Sequence, residues 1–469
     1  MPLRIALLTS EITPWSKTGG LADVTGALAK HLALAGHDVR VFTPLYSSID
    51  RALFGLPPPA TGVLTTSMPG CAATVHFIDD PALFARAGLY TEDADEHRRF
   101  IALTRAAFET CRRTGFAPQI LHCNDWHTAF GPLLLDVEYA QEPLFSGTRS
   151  VLTIHNIGYQ GIFDARNASD LGLADPHRLH QDDLRAGIIN ALKHGILYAH
   201  AVTTVSPTYA REICTAEYGM GLELVLRARG NAVTGILNGV DYDEWDPRRD
   251  RHLPIRYDEN SLGAKAELKR AFLAREGLPF RLGVPLFGIV SRLAPQKGFE
   301  LLYETLPPLL AQNRAQLVAL GSGEGRYEQF FAGLARDYPQ AVRFRAGYDE
   351  TLAHWIEAAS DFFLMPSRYE PCGLNQMYSL RYGTVPIVRR TGGLADTVEN
   401  FDRATGRGTG IVFNDFDTPA IAWALTRALT LYADTSAFAR LVRNGMAQDF
   451  SWTRQVAQYV ALYEGLLTP

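Results

Sequence analysis

Cysteine is scarce and unpatterned: Cys71, Cys111, Cys123, Cys214 and Cys372 are the only five, with no Cys-x-x-Cys. An odd, scattered set argues against a disulfide framework and fits a reducing compartment. Charge of one sign is also lacking. The 45 Lys and Arg against 50 Asp and Glu leave a formal net charge of −5, with no long basic block. Nucleic acid and anionic membrane surfaces are therefore disfavoured as main partners. No apolar run approaches the ~18 residues of a membrane-spanning helix. The N-terminus enters a strand-like pattern without the basic, apolar and small-residue stretches of a signal peptide. A cytoplasmic location is the expectation. No GxGxxG with a downstream ribose-binding acid follows the first strand pattern, which disfavours a dinucleotide oxidoreductase.

At 469 residues, 47% apolar and 20% charged, the chain is too long for one compact core, so two domains are expected. Strand-like and helix-like stretches alternate through the first half: 5–9, helix 21–34, 38–43, 120–122, helix 129–139, 151–155, a long helix near 184–198, and 202–205. The pattern breaks into turn chemistry around Asn238-Gly-Val-Asp241 and Trp245-Asp-Pro247. A helix near 264–276 then opens a second alternation through 286–290, 316–320, 342–345, 361–365, 385–388 and 410–412. This reads as α/β throughout, two doubly wound Rossmann-like layers. The expected domains are 1–243 and 244–450, with a helix over 451–469 that either completes the second domain or packs back on the first.

One hexapeptide, Thr-Gly-Gly-Leu-Ala-Asp, occurs twice, at Thr18–Asp23 and Thr391–Asp396, each time after a basic residue, Lys17 or Arg390, and a strand-like run. A glycine pair between strand and helix lets backbone N–H groups approach an anion, and a helix N-terminus adds a favourable dipole. Two such loops suggest two halves that each offer a phosphate-friendly loop to a shared cleft, a nucleotide-sugar pattern.

Other loops after strands carry reactive groups. Ser291-Arg-Leu-Ala-Pro-Gln-Lys-Gly298 places Arg292 and Lys297 where a fork and a point charge can grip a diphosphate. Pro366-Ser-Arg-Tyr-Glu-Pro-Cys-Gly-Leu374 sets Glu370 to hold sugar hydroxyls and the Gly373 and Leu374 amides to face phosphate oxygens. Cys372 reads as a packed loop cysteine rather than a nucleophile. His155 ends a strand pattern in Val151-Leu-Thr-Ile-His155, where a histidine is commonly structural. In His122-Cys-Asn-Asp125-Trp-His127 the side chains of a strand-to-helix turn diverge, so zinc is disfavoured; Asp125 and Trp126 suit a sugar. The acidic run Glu92-Asp-Ala-Asp-Glu96 reads as a solvated loop rather than a metal site.

Taken together, Lys17-Thr-Gly-Gly-Leu-Ala-Asp-Val24, Thr153-Ile-His-Asn156, Glu370-Pro-Cys-Gly-Leu374 and Arg389-Arg-Thr-Gly-Gly-Leu-Ala-Asp396 resemble bacterial glycogen synthases and plant starch synthases. The resemblance runs nearly end to end, through Asn238-Gly-Val-Asp241 and Phe450-Ser-Trp452. It implies a GT-B fold, two Rossmann-like domains facing a shared cleft and working by domain closure. It implies retaining transfer of glucose from ADP-glucose, a substrate, to the non-reducing 4-hydroxyl of glycogen or another α-1,4-glucan, with no metal and no other cofactor. Residue by residue, it implies that His155, Glu370, Arg292 and Lys297 carry catalysis, and that Lys17, Gly19, Gly20, Tyr348, Cys372, Gly373, Leu374 and Thr391 contact the donor, with Tyr348 in the adenine-stacking position. Glu11, Asp23, Tyr90, Asp125 and Asn156 match positions near acceptor or sugar.

Two departures stand out. Many related retaining transferases carry a second Glu eight positions after the first, for the ribose; here it is Tyr378, as in the glycogen and starch branch. The acceptor loop near 81–92 matches the family's usual wording poorly, leaving Tyr90 as an aromatic platform. Rival readings are a transferase of the same fold using UDP-glucose or a small acceptor, and a catalytically silent glucan or nucleotide-sugar binder. The simultaneous presence of Lys17, His155, Arg292, Lys297 and Glu370 argues against the silent binder.

Overall fold

The computed structural model describes residues 2–58, 62–230 and 233–468. The chain divides into two compact units, Met1–Gly239 with Trp452–Pro469, and Val240–Ser451.

The first unit is built on strands β1 (Arg4–Leu8), β2 (Asp38–Pro44), β3 (Gly62–Ser67), β4 (Thr74–Asp79), β5 (Ile120–Asn124), β6 (Arg149–Ile154), β9 (Ala201–Thr204) and β10 (Thr234–Gly235). They form one sheet in the order β10-β9-β6-β5-β1-β2-β4-β3, parallel except for β3 against β4. A separate antiparallel pair joins β7 (Ile162–Asp164) to β8 (Ile188–Asn190). From β1 the chain winds one way through β2 and β4, then returns to the other side of β1 for β5, β6 and β9. That reversal creates a crevice at the carboxyl ends of β1 and β5, where open α/β sheets bind ligands. β1 and β5 are buried almost end to end, as strands covered on both faces must be.

Helix α1 (Gly20–Leu34) follows β1 and buries its Leu, Ala and Val face against the sheet. The carboxyl-terminal helix Trp452–Leu467 belongs to this unit: Trp452, Val456, Tyr459 and Tyr463 join the same core as Leu28 and Leu32. Tyr463 reaches the sheet itself, its hydroxyl 2.8 Å from His122 Nδ1, while His122 Nε2 lies 2.6 Å from Thr153 Oγ1. Gly239 is required where the chain passes Trp452, because a Cβ there would run into the indole.

The second unit carries β11 (Leu286–Val290), β12 (Gln316–Gly321), β13 (Val342–Ala346), β14 (Phe362–Met365), β15 (Val385–Arg389) and β16 (Ile411–Phe413), all parallel, in the order β13-β12-β11-β14-β15-β16. The winding reverses between β11 and β14, giving a second switch point of the same kind. β12 is buried along its whole length.

Several expectations change in detail. The long helix near 184–198 is two helices, Gln181–Arg185 and Ala191–Tyr198, with β8 between them. Gly187, at φ +78°, turns the chain out of the first helix and into that strand, and its lack of a Cβ makes this turn inexpensive. Strands β3 and β4, invisible in the alternation of the first half, extend the first sheet beyond β2. The second hexapeptide itself forms the helix that it opens, only six residues long, Gly392–Thr397.

Candidate active site

In the first unit the loop after β1 delivers Glu11, 2% exposed, into the crevice. Its Oε2 accepts from Thr18 N at 2.6 Å and Thr18 Oγ1 at 2.9 Å, so Glu11 organises the first hexapeptide loop. Burial pushes its carboxyl up to about 7 against those bonds. Lys17 and Asp23 pair with each other at 3.0 Å across this loop. Gly19 caps α1 in an extended conformation, and a Cβ built on it meets none of the described residues within 4 Å.

The loop after β5 supplies Asp125, a buried residue with φ +54°. Its Oδ1 accepts from His155 N at 2.7 Å and Asn156 N at 3.3 Å, joining the β5 and β6 loops. Burial raises its carboxyl to about 7, with the Glu11 charge adding to the effect. His155 Nε2 lies 2.9 Å from Asn124 Oδ1. Asn124 donates its Nδ2 to Leu8 O at 3.0 Å, which orients its Oδ1 toward the imidazole, so His155 carries its proton on Nε2. Burial holds this imidazole down at about 3, hence neutral at physiological pH. Asn156 Oδ1 accepts from Gly158 N at 3.0 Å. Tyr90, half-buried, bonds Ser10 Oγ at 2.8 Å and stacks on His127 at 4.8 Å.

As expected, His122 and His127 diverge: the first bonds Thr153 and Tyr463, the second packs on Tyr90, Phe100 and Trp126. The acidic run is held by arginines: Asp93 and Asp95 on Arg86, both at 2.7 Å, and Glu96 on Arg99 at 2.7 Å.

In the second unit three loops from the adjacent strands β11, β14 and β15 interlock. Lys297 Nζ lies 2.7 Å from Glu370 Oε2, and Ser367 Oγ donates to the same oxygen at 2.9 Å. Arg368 N donates to Gln296 O at 2.8 Å and Gln296 Nε2 to Tyr369 O at 3.3 Å. Gly298, at φ +69°, passes so close to Pro366 O that no side chain fits. The second hexapeptide closes the set: Gly393 N donates to Glu370 O at 3.1 Å and Pro371 O at 3.2 Å. A Cβ on Gly392 or Gly393 would clash with Glu370 O or Cys372 O.

The two hexapeptides are therefore held differently. The first leaves Gly19 in open space; in the second, both glycines are buried and the Gly393 N–H is committed to the Glu370 loop. Thr391 is wholly buried there. Cys372 is 3% exposed and packs as a loop residue. Gly373 adopts φ +71°, and Leu374 precedes helix Asn375–Arg381. Arg292 is exposed beyond β11. Tyr348 follows edge strand β13, with 65% of its surface open to solvent.

Sequence reasoning missed Ser367 and Asn124, which hold Glu370 and His155. Both lie inside quoted motifs, but only the folded backbone reveals which neighbour each side chain meets. It also missed Glu357, wholly buried on helix Glu350–Ala359, which accepts from Asn375 Nδ2 at 3.0 Å and Ser379 Oγ at 2.6 Å and so anchors the helix after Leu374.

Two switch-point sheets whose loops carry paired cations, carboxylates and open glycine backbone define a glycosyltransferase of the GT-B class. Comparison with known proteins narrows this. Residues 4–228 match the family described as starch synthase catalytic domain, and residues 273–445 match glycosyl transferases group 1. The chain is 48% identical to a glycogen synthase of Anaeromyxobacter dehalogenans strain 2CP-1, covering 99% of each chain. It is 44% identical to glycogen synthase 1 of Geobacter sulfurreducens, covering 98% of this chain and 96% of that one. The catalytic domain of starch synthase IV from Arabidopsis thaliana, bound to ADP and acarbose, superposes with a TM-score of 0.90 at 35% identity over the full length of both chains. The chain belongs to the glycogen and starch synthase family, and its reaction is glucosyl transfer of the glycogen and starch type. Among the described residues, no helix is long and apolar enough to cross a membrane.

Proposed function

We propose that this chain transfers glucose from ADP-glucose to the non-reducing 4-hydroxyl of an α-1,4-glucan, with retention of anomeric configuration and without a metal or other cofactor. The observation that carries the reading is the Lys297–Glu370 pair at the switch point of the second sheet, where a diphosphate-binding cation and a sugar-binding carboxylate are held together by three locked loops. Departure of ADP builds negative charge on the diphosphate, and Arg292 and Lys297 meet it as cations, Lys297 already held in place by Glu370. Groups already in place stabilise that charge more in the transition state than in the ground state, and removing one typically costs on the order of 10²–10³ in rate. Glu370 and the Gly373 and Leu374 amides hold the glucose, with Cys372 and Thr391 shaping the loop around it.

In the first unit, neutral His155 suits a place beside an oxocarbenium-like carbon, since an imidazolium would oppose that developing positive charge. Lys17, Gly19 and Gly20 contact the donor from an open loop. Glu11, Asp23, Tyr90, Asp125 and Asn156 serve sugar and acceptor, and a carboxyl near 7 can donate to a hydroxyl as well as accept. The nucleotide assignment is supported by the ADP in the Arabidopsis relative and by the exposed ring of Tyr348. The linkage is tested by letting the enzyme add labelled glucose to glycogen and digesting the product with β-amylase, which removes maltose from non-reducing α-1,4 ends. The label should leave as maltose; label that resists digestion contradicts the assignment.

A further inference from the structure

Away from these loops, three ligand-type side chains of the second unit converge: one donor atom each from Glu244, His252 and His354, all within 4.8 Å of one another. We propose that Glu244, His252 and His354 bind a transition-metal dication of the zinc class, with Glu350 as a fourth ligand, and that the ion clips the turn segment 244–252 to helix Glu350–Ala359.

The histidines are prepared for it. His354 is wholly buried and its Nδ1 lies 2.7 Å from Asp250 Oδ2, a carboxylate that also accepts from Tyr382 Oη at 2.6 Å and His252 N at 2.8 Å. The acceptor at Nδ1 holds a proton there, so Nε2 is the nitrogen turned toward the other ligands. Among the described residues that Nε2 has no hydrogen-bond partner, and it stands 3.6 Å from Glu350 Oε1. A histidine bonded to a carboxylate through one nitrogen and presenting the other is the usual supporting arrangement of a metal ligand. His252 is held by a hydroxyl instead: its Nδ1 meets Thr351 Oγ1 at 3.1 Å, and its Nε2 lies 3.8 Å from Glu244 Oε1. Trp245 stacks on His354 at 3.8 Å and 11°, fixing the ring plane.

Two imidazoles with carboxylates select zinc-like ions over magnesium or calcium, which prefer all-oxygen sites. Zinc ligands at about 2.0–2.1 Å from the ion stand roughly 3.3 Å apart, so the present cluster contracts on binding. Glu244 and His252 can supply that movement, being half-buried on turns. A cation already stands at the mouth: Arg251 donates Nη2 to Glu244 Oε1 at 2.8 Å and approaches His252 Nε2 at 3.4 Å. Its side chain is 75% exposed and free to swing away when a dication enters. With only protein ligands around it the ion is structural, so the transfer reaction remains metal-independent. The clip also fixes Trp245, which stacks on Tyr378 of helix Asn375–Arg381 at 4.0 Å and 1°.

The test uses the full chain, stripped with a chelator and titrated with zinc chloride alone by calorimetry, with bound metal counted after gel filtration. One zinc per chain is expected, together with a rise in Tm at saturating metal. His252→Ala and Glu244→Ala should each weaken binding at least tenfold and abolish the Tm rise, while the metal-free variants melt with the metal-free parent. No stoichiometric binding overturns the proposal. So does binding that both variants retain, which would place the ion elsewhere, as on a cysteine.

Discussion

Lys297 and Glu370 stand 73 residues apart in the chain, yet their side chains meet at 2.7 Å. Each ends a loop at the carboxyl edge of a neighbouring strand, β11 or β14, so the pair exists because the sheet reverses its winding there. Ser367 accompanies Glu370 on the same oxygen. The contact makes the two residues one unit, preset before substrate arrives.

Lys297→Ala and Glu370→Ala should each lower kcat/KM by about 10²-fold or more, while circular dichroism stays unchanged. Because the residues act together, the double variant should be little worse than the poorer single one. Fully multiplicative losses would show that they act independently.

The two copies of the hexapeptide should answer differently to the same substitution. Gly393→Ala drives a methyl into Cys372 O and should cost at least about 2 kcal/mol in urea unfolding. Gly19→Ala meets open space in an extended conformation and should change stability by less than about 1 kcal/mol. Equal costs would contradict the contrast between the loops.

That contrast marks the limit of what the residues reveal by themselves. Strand-then-glycine patterning located both hexapeptides, and the alternation of apolar runs located both parallel layers, because buried parallel strands leave continuous apolar stretches. The sequence is identical in the two copies, however, and whether a glycine N–H faces solvent or a neighbouring loop depends on which strand lies beside it. Pairing of β15 with β14 is a long-range event. For the same reason His155, Arg292, Lys297 and Glu370 were legible as loop residues after strands, while Asn124, Ser367 and Glu357, which hold them or their helix, were not. β3 escaped notice because it is partly exposed and lacks a continuous apolar run; β4 is buried, but His76 interrupts its short apolar run.

Glu11 gives a pH signature. Its carboxyl lies at about 7 in the fold against an ordinary 4.5, so the native state holds the proton more tightly than the unfolded chain. The stability this contributes is fully present below pH 4.5 and is lost as pH rises through about 7. Glu11→Gln keeps the acceptor for Thr18 and cannot ionise, so between pH 5 and 8 it should lose less stability than the parent, by up to about 3 kcal/mol. Parallel stability profiles across that range, read by urea denaturation, would refute the assignment.

His155 is expected to remain neutral, with its proton on Nε2, from pH 8 down to 5, because burial holds its titration near 3. Nitrogen-15 chemical shifts of the imidazole read tautomer and charge directly. A midpoint near 6.5 would mean that the ring is solvated.

The central claim is the donor and acceptor, and the most direct measurement is transfer of labelled glucose from ADP-glucose and, separately, from UDP-glucose onto glycogen and onto maltose. Transfer from ADP-glucose to glycogen, with UDP-glucose much poorer, is the predicted result. Transfer from UDP-glucose alone would reject the donor, and binding of ADP-glucose without transfer to either acceptor would contradict the catalytic account as a whole.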